Sequence, residues 1–307
     1  MTPSPAEAAR EAYDHARRDL FPFRFDRWLA LGFVAFLDQC GRAGTEGPPP
    51  TLQFRTGVPP VLGPELPPLG RVGEWFAGHI ALLMVAAAAA IALLLALTAV
   101  VLWVNSRAVF MYVDDVATGR ADVSRPWQEH AERASSYFVW SFGLAVGLLV
   151  AMFGLLAVAA VLVLGVMRGG AVSGIFVTVV LALMVPVFLL LLLAGVVASI
   201  GLRDFVAPLQ WKAGLACGDA IRLLVSLLKA YPGPFVVYLL LKIAFAIGAT
   251  VVVAIGGWLT CCVGLLPIFK QTLFQPVFYF ERAWSLHFLR QLGYDLVTRE
   301  PQPPAAG

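Results

Sequence analysis

The chain has 307 residues, 60% of them hydrophobic and only 13% charged, with a formal net charge of +3. Ordinary soluble domains carry about a quarter charged residues, so this balance excludes one, and so small a net charge gives no electrostatic reason for a nucleic-acid partner. Four cysteines (Cys40, Cys217, Cys261, Cys262) show neither CxxC nor metal spacing, and no HExxH, GxSxG or P-loop is present, so no enzymatic activity, metal or cofactor is expected.

The first residues are polar and include acids, which reads against a cleavable signal sequence. Ser4-Pro5-Ala6-Glu7 predicts a helix start, with Ser4 as cap, Pro5 at the first helical position and Glu7 as the capping acid. The helix over roughly 5–20 reads as a solvated cytosolic helix or as an interfacial one using Tyr13, Ala16, Leu20 and Phe21. Only ten apolar residues follow, Trp28 to Leu37, making ~15 Å of helix, about half a bilayer. This is an interfacial helix, a re-entrant piece, or a short span whose Arg24 and Arg27 snorkel to one surface. Residues 41–74 are rich in proline and glycine and are expected to form an extended extracytoplasmic loop.

Ile80 to Val104 then runs without one ionisable side chain, ~37 Å of helix against a hydrocarbon core of ~30 Å. Five long spans are predicted, at about 77–104, 137–166, 172–202, 235–255 and 258–280. Met167 to Gly170 and Gly256-Gly257 are expected to be turns, and Pro186 to kink the third span. Between the first and second spans lies a polar connector containing Asp114-Asp115, expected on a solvated face. Between the third and fourth, Asp219, Arg222, Ser226 and Lys229 form one polar stripe on a helix otherwise apolar, which places it flat at the interface or against the bundle. After Glu281 an aromatic amphipathic helix leads to a disordered Pro/Ala tail.

The fold class is therefore all-α: a polytopic transmembrane helical bundle of five long spans plus a short N-terminal membrane-embedded helix, with amphipathic cytosolic connectors. Its segments are 1–40, the loop 41–74, the membrane domain 75–293 and the tail 294–307. The spans also suggest an internal repeat, since Asn105-Ser106-Arg107 after the first corresponds to Gly201-Leu202-Arg203 after the third. The two connectors carry four Lys or Arg each, so they and the C-terminus are placed in the cytosol of a cell with the chain in its inner membrane. Five arginines before residue 28 favour a cytosolic N-terminus too, with 28–38 as a short sixth crossing, although its length argues against crossing.

Two lysines stand out. Lys242 and Lys270 lie inside the fourth and fifth spans, roughly 11–15 Å above the cytosolic interface. Each either snorkels, contributes to an anionic ligand or lipid-headgroup site, or pairs internally, Gln271 being one such partner. Cys40 could form a disulfide with Cys261 or Cys262 in an oxidising compartment, and Gly143 and Gly147 form a GxxxG that permits close helix contact. The expected partners are the lipid bilayer and either a second copy of the chain or another membrane protein. The expected role is a non-catalytic envelope or partner-binding component. The rival is a transporter or exporter of a small or lipidic solute, against which stands the lack of a carboxylate inside the first three spans.

Leu20-Phe21-Pro22-Phe23, Arg27-Trp28-Leu29, Asp204-Phe205-Val206-Ala207-Pro208 and Phe278-Tyr279-Phe280-Glu281-Arg282 resemble segments of a group of uncharacterised bacterial and archaeal polytopic membrane proteins. The layout is more distantly similar to the membrane domain of glycerophosphodiester phosphodiesterases, without their catalytic motif. The resemblance implies a membrane domain of unknown function and supplies no site residues.

Overall fold

The computed structural model describes residues 3–40, 69–167, 174–260, 266 and 268–297. Among them there are only helices: α1 Pro5–Leu20, α2 Phe25–Cys40, α3 Leu69–Thr118, α4 Ser124–Glu129, α5 Ala131–Met167, α6 Gly174–Gly201, a π turn Leu202–Val206, α7 Ala207–Ala213, α8 Cys217–Ala230, α9 Pro232–Leu259, α10 Phe269–Leu273 and α11 Gln275–Gln291.

Four helical stretches are long and apolar enough to cross a membrane: Gly78–Thr118, Ala131–Val166, Ile175–Ala213 and Pro232–Leu259. The expected fifth, 258–280, is not one helix among the described residues. Gly256-Gly257 is no turn, because α9 continues through it to Leu259. Further on, Ile268 has φ +70°, α10 is five residues long, and α11 starts afresh at Gln275. A β-branched residue in the left-handed region marks a forced change of direction, and Pro276 then suits the first turn of a new helix. The 41–68 loop, the turn at 168–170 and both Cys261 and Cys262 lie outside the described residues, as does the tail beyond residue 297.

Buried residues collect at one end of the spans. Along α3 the side chains are largely exposed up to Trp103, and from Asn105 to Ala117 nearly all are buried. The same change occurs at Arg203 on the chain leaving α6. The helix of the first span thus runs straight on into what the sequence presents as a polar connector, and Asp115 of the supposedly solvated pair is fully buried. We call this end the base. At its centre is α11, which is buried on nearly every side rather than lying amphipathic on a surface. Phe205, Phe235, Tyr238 and Phe288 pack there with ring centroids 5.0–6.0 Å apart. Burial of aromatic side chains of this size dominates the energetics of such a core.

The helix α1 belongs to the base as well. Ser4 Oγ accepts the Glu7 N–H at 3.4 Å, as the capping pattern predicts. Ala8, Ala12 and Ala16 lie on one face, and their small side chains let α11 approach closely. Trp284 donates to the Pro5 carbonyl at 2.8 Å and closes the far end of this contact. The helix is therefore packed rather than solvated. Next in the chain, α2 runs antiparallel to the lower part of α3: Arg27 donates to the Gly119 carbonyl at 2.9 Å and Asn105 to that of Leu37 at 3.2 Å. It also packs on α11 and on α10, where Gly32 faces Thr272. Asp219, Arg222, Ser226 and Lys229 of α8 all face outward, as their spacing predicts.

Candidate functional site

Six ionisable side chains meet where the spans enter the base. Asp38 comes from the end of α2, Arg203 and Asp204 from the π turn, Lys242 from α9, and Glu281 and Arg282 from α11. All six are buried. An α-helix points adjacent residues about 100° apart. The π turn, closed by the Ala207 N–H on the Leu202 carbonyl, brings the neighbours Arg203 and Asp204 into one buried site. Such single π turns inside helices recur at functional sites.

The pairing is dense. Arg203 grips Asp38 through Nε, at 3.2 Å from Oδ2, and through Nη2, while its Nη1 lies 3.2 Å from Glu281 Oε1 and 3.6 Å from Asp204 Oδ1. Lys242 Nζ lies 2.6 Å from Asp204 Oδ2 and 3.1 Å from Glu281 Oε1. Arg282 donates to Asp38 Oδ1 at 3.0 Å and to the Arg203 carbonyl at 2.8 Å. Tyr238 adds a hydroxyl donor to Asp204 at 3.1 Å. Three carboxylates thus face three cations, and every carboxylate touches two of them. Bidentate guanidinium contacts fix geometry as well as charge. Burying one such ion alone costs several kcal/mol, and a balanced set offsets that cost.

Of the two lysines singled out by the sequence, Lys242 pairs internally, with partners other than Gln271. Lys270 is half-buried on α10, and its neighbour Gln271 donates to Gln39 of α2 at 3.2 Å. The sequence singles out only the two lysines, whereas Asp38, Asp204 and Glu281 also enter this layer, from the ends of apolar runs. Arg107, the repeat counterpart of Arg203, does something different: it stacks between Trp103 and Trp127, 4.8 and 5.1 Å from their centroids. Among the described residues no three His, Cys, Asp or Glu side chains form a metal set. What the arrangement does chemically is hold charges in place.

A second polar group joins α1 to α11. His15 Nε2 lies 2.9 Å from Asp19 Oδ2, which also accepts from the Tyr279 hydroxyl at 2.8 Å. His15 Nδ1 meets His287 Nε2 at 3.0 Å. On the far side Glu11 Oε2 lies 3.0 Å from Arg290, an ion contact, and 3.2 Å from His287 Nδ1, neither being an aligned hydrogen bond. Burial, then the His15 ring, Arg290 and Arg18, push the His287 imidazole down to about 3, so it is neutral at pH 7. Burial would raise the Asp19 carboxyl, but His15, the Tyr279 hydroxyl and Arg27 together outweigh it and hold Asp19 below its ordinary value.

Comparison with curated proteins and with solved structures finds no match to either. A family of unknown function, DUF7544, matches residues 4–291, a range that takes in every helix and every member of the ion cluster. The chain belongs to this family.

Proposed function

We propose that the protein is a non-catalytic, multi-pass component of the inner cell membrane, a scaffold whose spans bind a membrane partner. The observation that carries this reading is the distribution of burial. The most apolar windows of the α3 and α5 stretches bury none of their residues, the Ile175–Ala213 stretch 6% and α9 17%. A Cβ added at Gly143 or Gly147 of α5 would meet nothing within 4 Å, whereas one at Gly195 of α6 would meet Leu148 at 2.6 Å. One side of α5 is thus used for α6, and the GxxxG side is open. Small-residue faces of this kind support helix association in a membrane, where close backbone approach replaces the hydrophobic drive. We place the base on the cytosolic side of the membrane, with both termini, because the Lys- and Arg-rich connectors belong to it. The test is a photocrosslinking residue at position 147 of the full chain in intact cells. A covalent adduct with a second polypeptide, the same chain or another, is the expected result. Lipid adducts alone would overturn the reading.

A second reading, transport of a small or lipidic solute, draws support from Lys242, Asp204 and Glu281 lying among apolar helices, since ionisable groups there often mark ion pathways. Against it stands the low burial of the most apolar windows, none of the residues in two of them and 6% and 17% in the others among the described residues. Proteoliposomes carrying the full chain would show solute-coupled proton uptake, abolished by Asp204→Asn, if this reading were right.

A further inference from the structure

Phe21, Phe23 and Phe25 stand out at the surface of the base, 54%, 56% and 61% exposed. They are held in place. Trp28 is buried between the turn and α2, donates from Nε1 to the Leu20 carbonyl at 3.1 Å, and meets the rings of Phe21 and Phe23 edge-on at 6.0 and 4.8 Å. Exposed apolar residues continue up α2 at helical spacing as Leu29 and Phe33. A contiguous exposed apolar patch of this kind marks an interaction surface. Around it stand the exposed Arg17 and Arg18 at the end of α1 and Arg24 within the turn itself. Among the described residues Arg24 makes a long 3.4 Å contact with Asp26, both side chains being mostly in solvent.

Depth identifies the occupant. The ion cluster fixes the register of α2 against α9 through Asp38 and Lys242. Toward the cytosolic end, α9 still exposes Val236 and Leu240 to the surroundings and begins after the exposed Tyr231. Tyr231 lies about 17 Å of helix below Lys242, and Phe25 about 20 Å below Asp38. Two independent helices therefore change from apolar to aromatic-polar faces at about the same length of helix from the cluster, as membrane-spanning helices do at the lipid headgroups. The α2 stripe of Leu29 and Phe33 lies on the hydrocarbon side of that change.

We propose that the Phe21–Phe25 turn is a membrane anchor. Its three phenylalanine rings enter the acyl boundary of the cytosolic leaflet, and Arg17, Arg18 and Arg24 bind the phosphates of anionic phospholipids there. In this arrangement α2 is a half-depth helix: it descends from the ion cluster to the headgroups and does not cross. Aromatic side chains beside arginines give both terms of interfacial binding, buried apolar area and attraction to anionic lipid. The anchor does not depend on whether the spans bind a protein partner.

The test uses the full-length protein in nanodiscs of phosphatidylcholine with or without phosphatidylglycerol. A photocrosslinking residue replaces Phe23, with Leu240 as the lipid-facing control and Arg125 as the water-facing control. Intact-mass measurement after illumination is expected to show a lipid adduct at positions 23 and 240 and none at 125. In native mass spectrometry the wild type should retain phosphatidylglycerol in preference to phosphatidylcholine. Arg17→Gln, Arg18→Gln and Arg24→Gln together should lower that retention several-fold without changing Tm, since these side chains are exposed. No lipid adduct at 23 while 240 gives one, or a protein adduct at 23, would overturn the anchor. Lipid retention indifferent to headgroup charge or to the three arginines would overturn the anionic specificity.

Discussion

Lys242 Nζ lies 2.6 Å from Asp204 Oδ2, joining α9 to the π turn at the point where the spans enter the base. The pair does not stand alone, since Lys242 also contacts Glu281, and Arg203 contacts Glu281, Asp38 and Asp204. Four segments far apart in sequence are tied by one neutral network. Networks of this kind add little net stability over an apolar core of equal shape, but they tolerate one arrangement only. Their value is in fixing which helices meet and in what register.

Asp38 carries the N-terminal side of that network. It is fully buried and accepts from both Arg203 and Arg282. Asp38→Ala leaves two guanidinium groups facing one empty position. Loss of one partner from a buried ion set costs about 3–5 kcal/mol. Thermal unfolding in mild detergent is therefore expected to fall sharply. Arg24→Gln, at an exposed ion contact, should leave Tm unchanged.

The α2–α10 contact depends on Gly32. A Cβ there would meet Thr272 Cα at 2.8 Å and its backbone N at 2.9 Å, and neither atom can step aside. Gly32→Ala should separate α2 from α10 and destabilise the fold by about 1–3 kcal/mol. The same change at Gly147 meets open space and should leave Tm unchanged. Differential scanning fluorimetry of the two variants separates these outcomes.

On α8 the two leucines facing away from the polar stripe differ. Leu224 is buried, while Leu228 is 39% exposed. Sequence spacing alone treats them alike, as apolar positions on the docked side. Leu224→Asp places a carboxylate in the core without a partner and should abolish stable expression. Leu228→Asp should express and melt close to wild type.

Acid should loosen α1 from α11. The folded His287 is pushed down to about 3 from an ordinary value near 6.5. Between those two values the undocked state takes up a proton that the docked state refuses, so docking is fully stabilised above pH 6.5 and weakens as pH falls. Asp19, also held below its ordinary value, adds to the loss once pH drops to about 4 and below, in the same direction. Groups that bear on the effect are Glu11, His15 and Arg18 on α1 and Arg290 on α11. Hydrogen exchange of residues 5–20, corrected for intrinsic rate, should increase between pH 7 and pH 5 in the wild type. In His287→Gln the dependence over that interval should be largely lost.

Much of the fold is legible in the sequence and most of the site is not. Apolar runs such as Ile80–Val104 announce their helices because no soluble environment accommodates them, and Ser4 and the α8 stripe follow local rules. Lys242 is conspicuous because it interrupts an apolar run. Its partners are not, since Asp204, Glu281 and Asp38 sit at the edges of such runs, where charges are ordinary. They also meet across long stretches of chain, 38 residues for Lys242 with Asp204 and 165 for Arg203 with Asp38. The π turn that brings Arg203 and Asp204 together leaves no trace in hydropathy. One signal was present: Arg203-Asp204 and Glu281-Arg282 are neutral dyads at the ends of apolar stretches, arranged to enter a low-dielectric layer as pairs. The interruption of the expected fifth span at Ile268 is marked only by Pro267 and Pro276, which a kinked span also accommodates, as α6 does Pro186.

The most direct measurement is a double-mutant cycle on Lys242 and Asp204, with Lys242→Met, Asp204→Asn and the double variant unfolded thermally in the same detergent. If the pair holds the base together, each single variant strands a buried charge, and the double variant recovers part of the loss. The expected coupling lies at the upper end of the range of about 0.5–3 kcal/mol seen between contacting residues. Additive losses, or a Lys242→Met variant as stable as the wild type, would contradict the buried ion cluster.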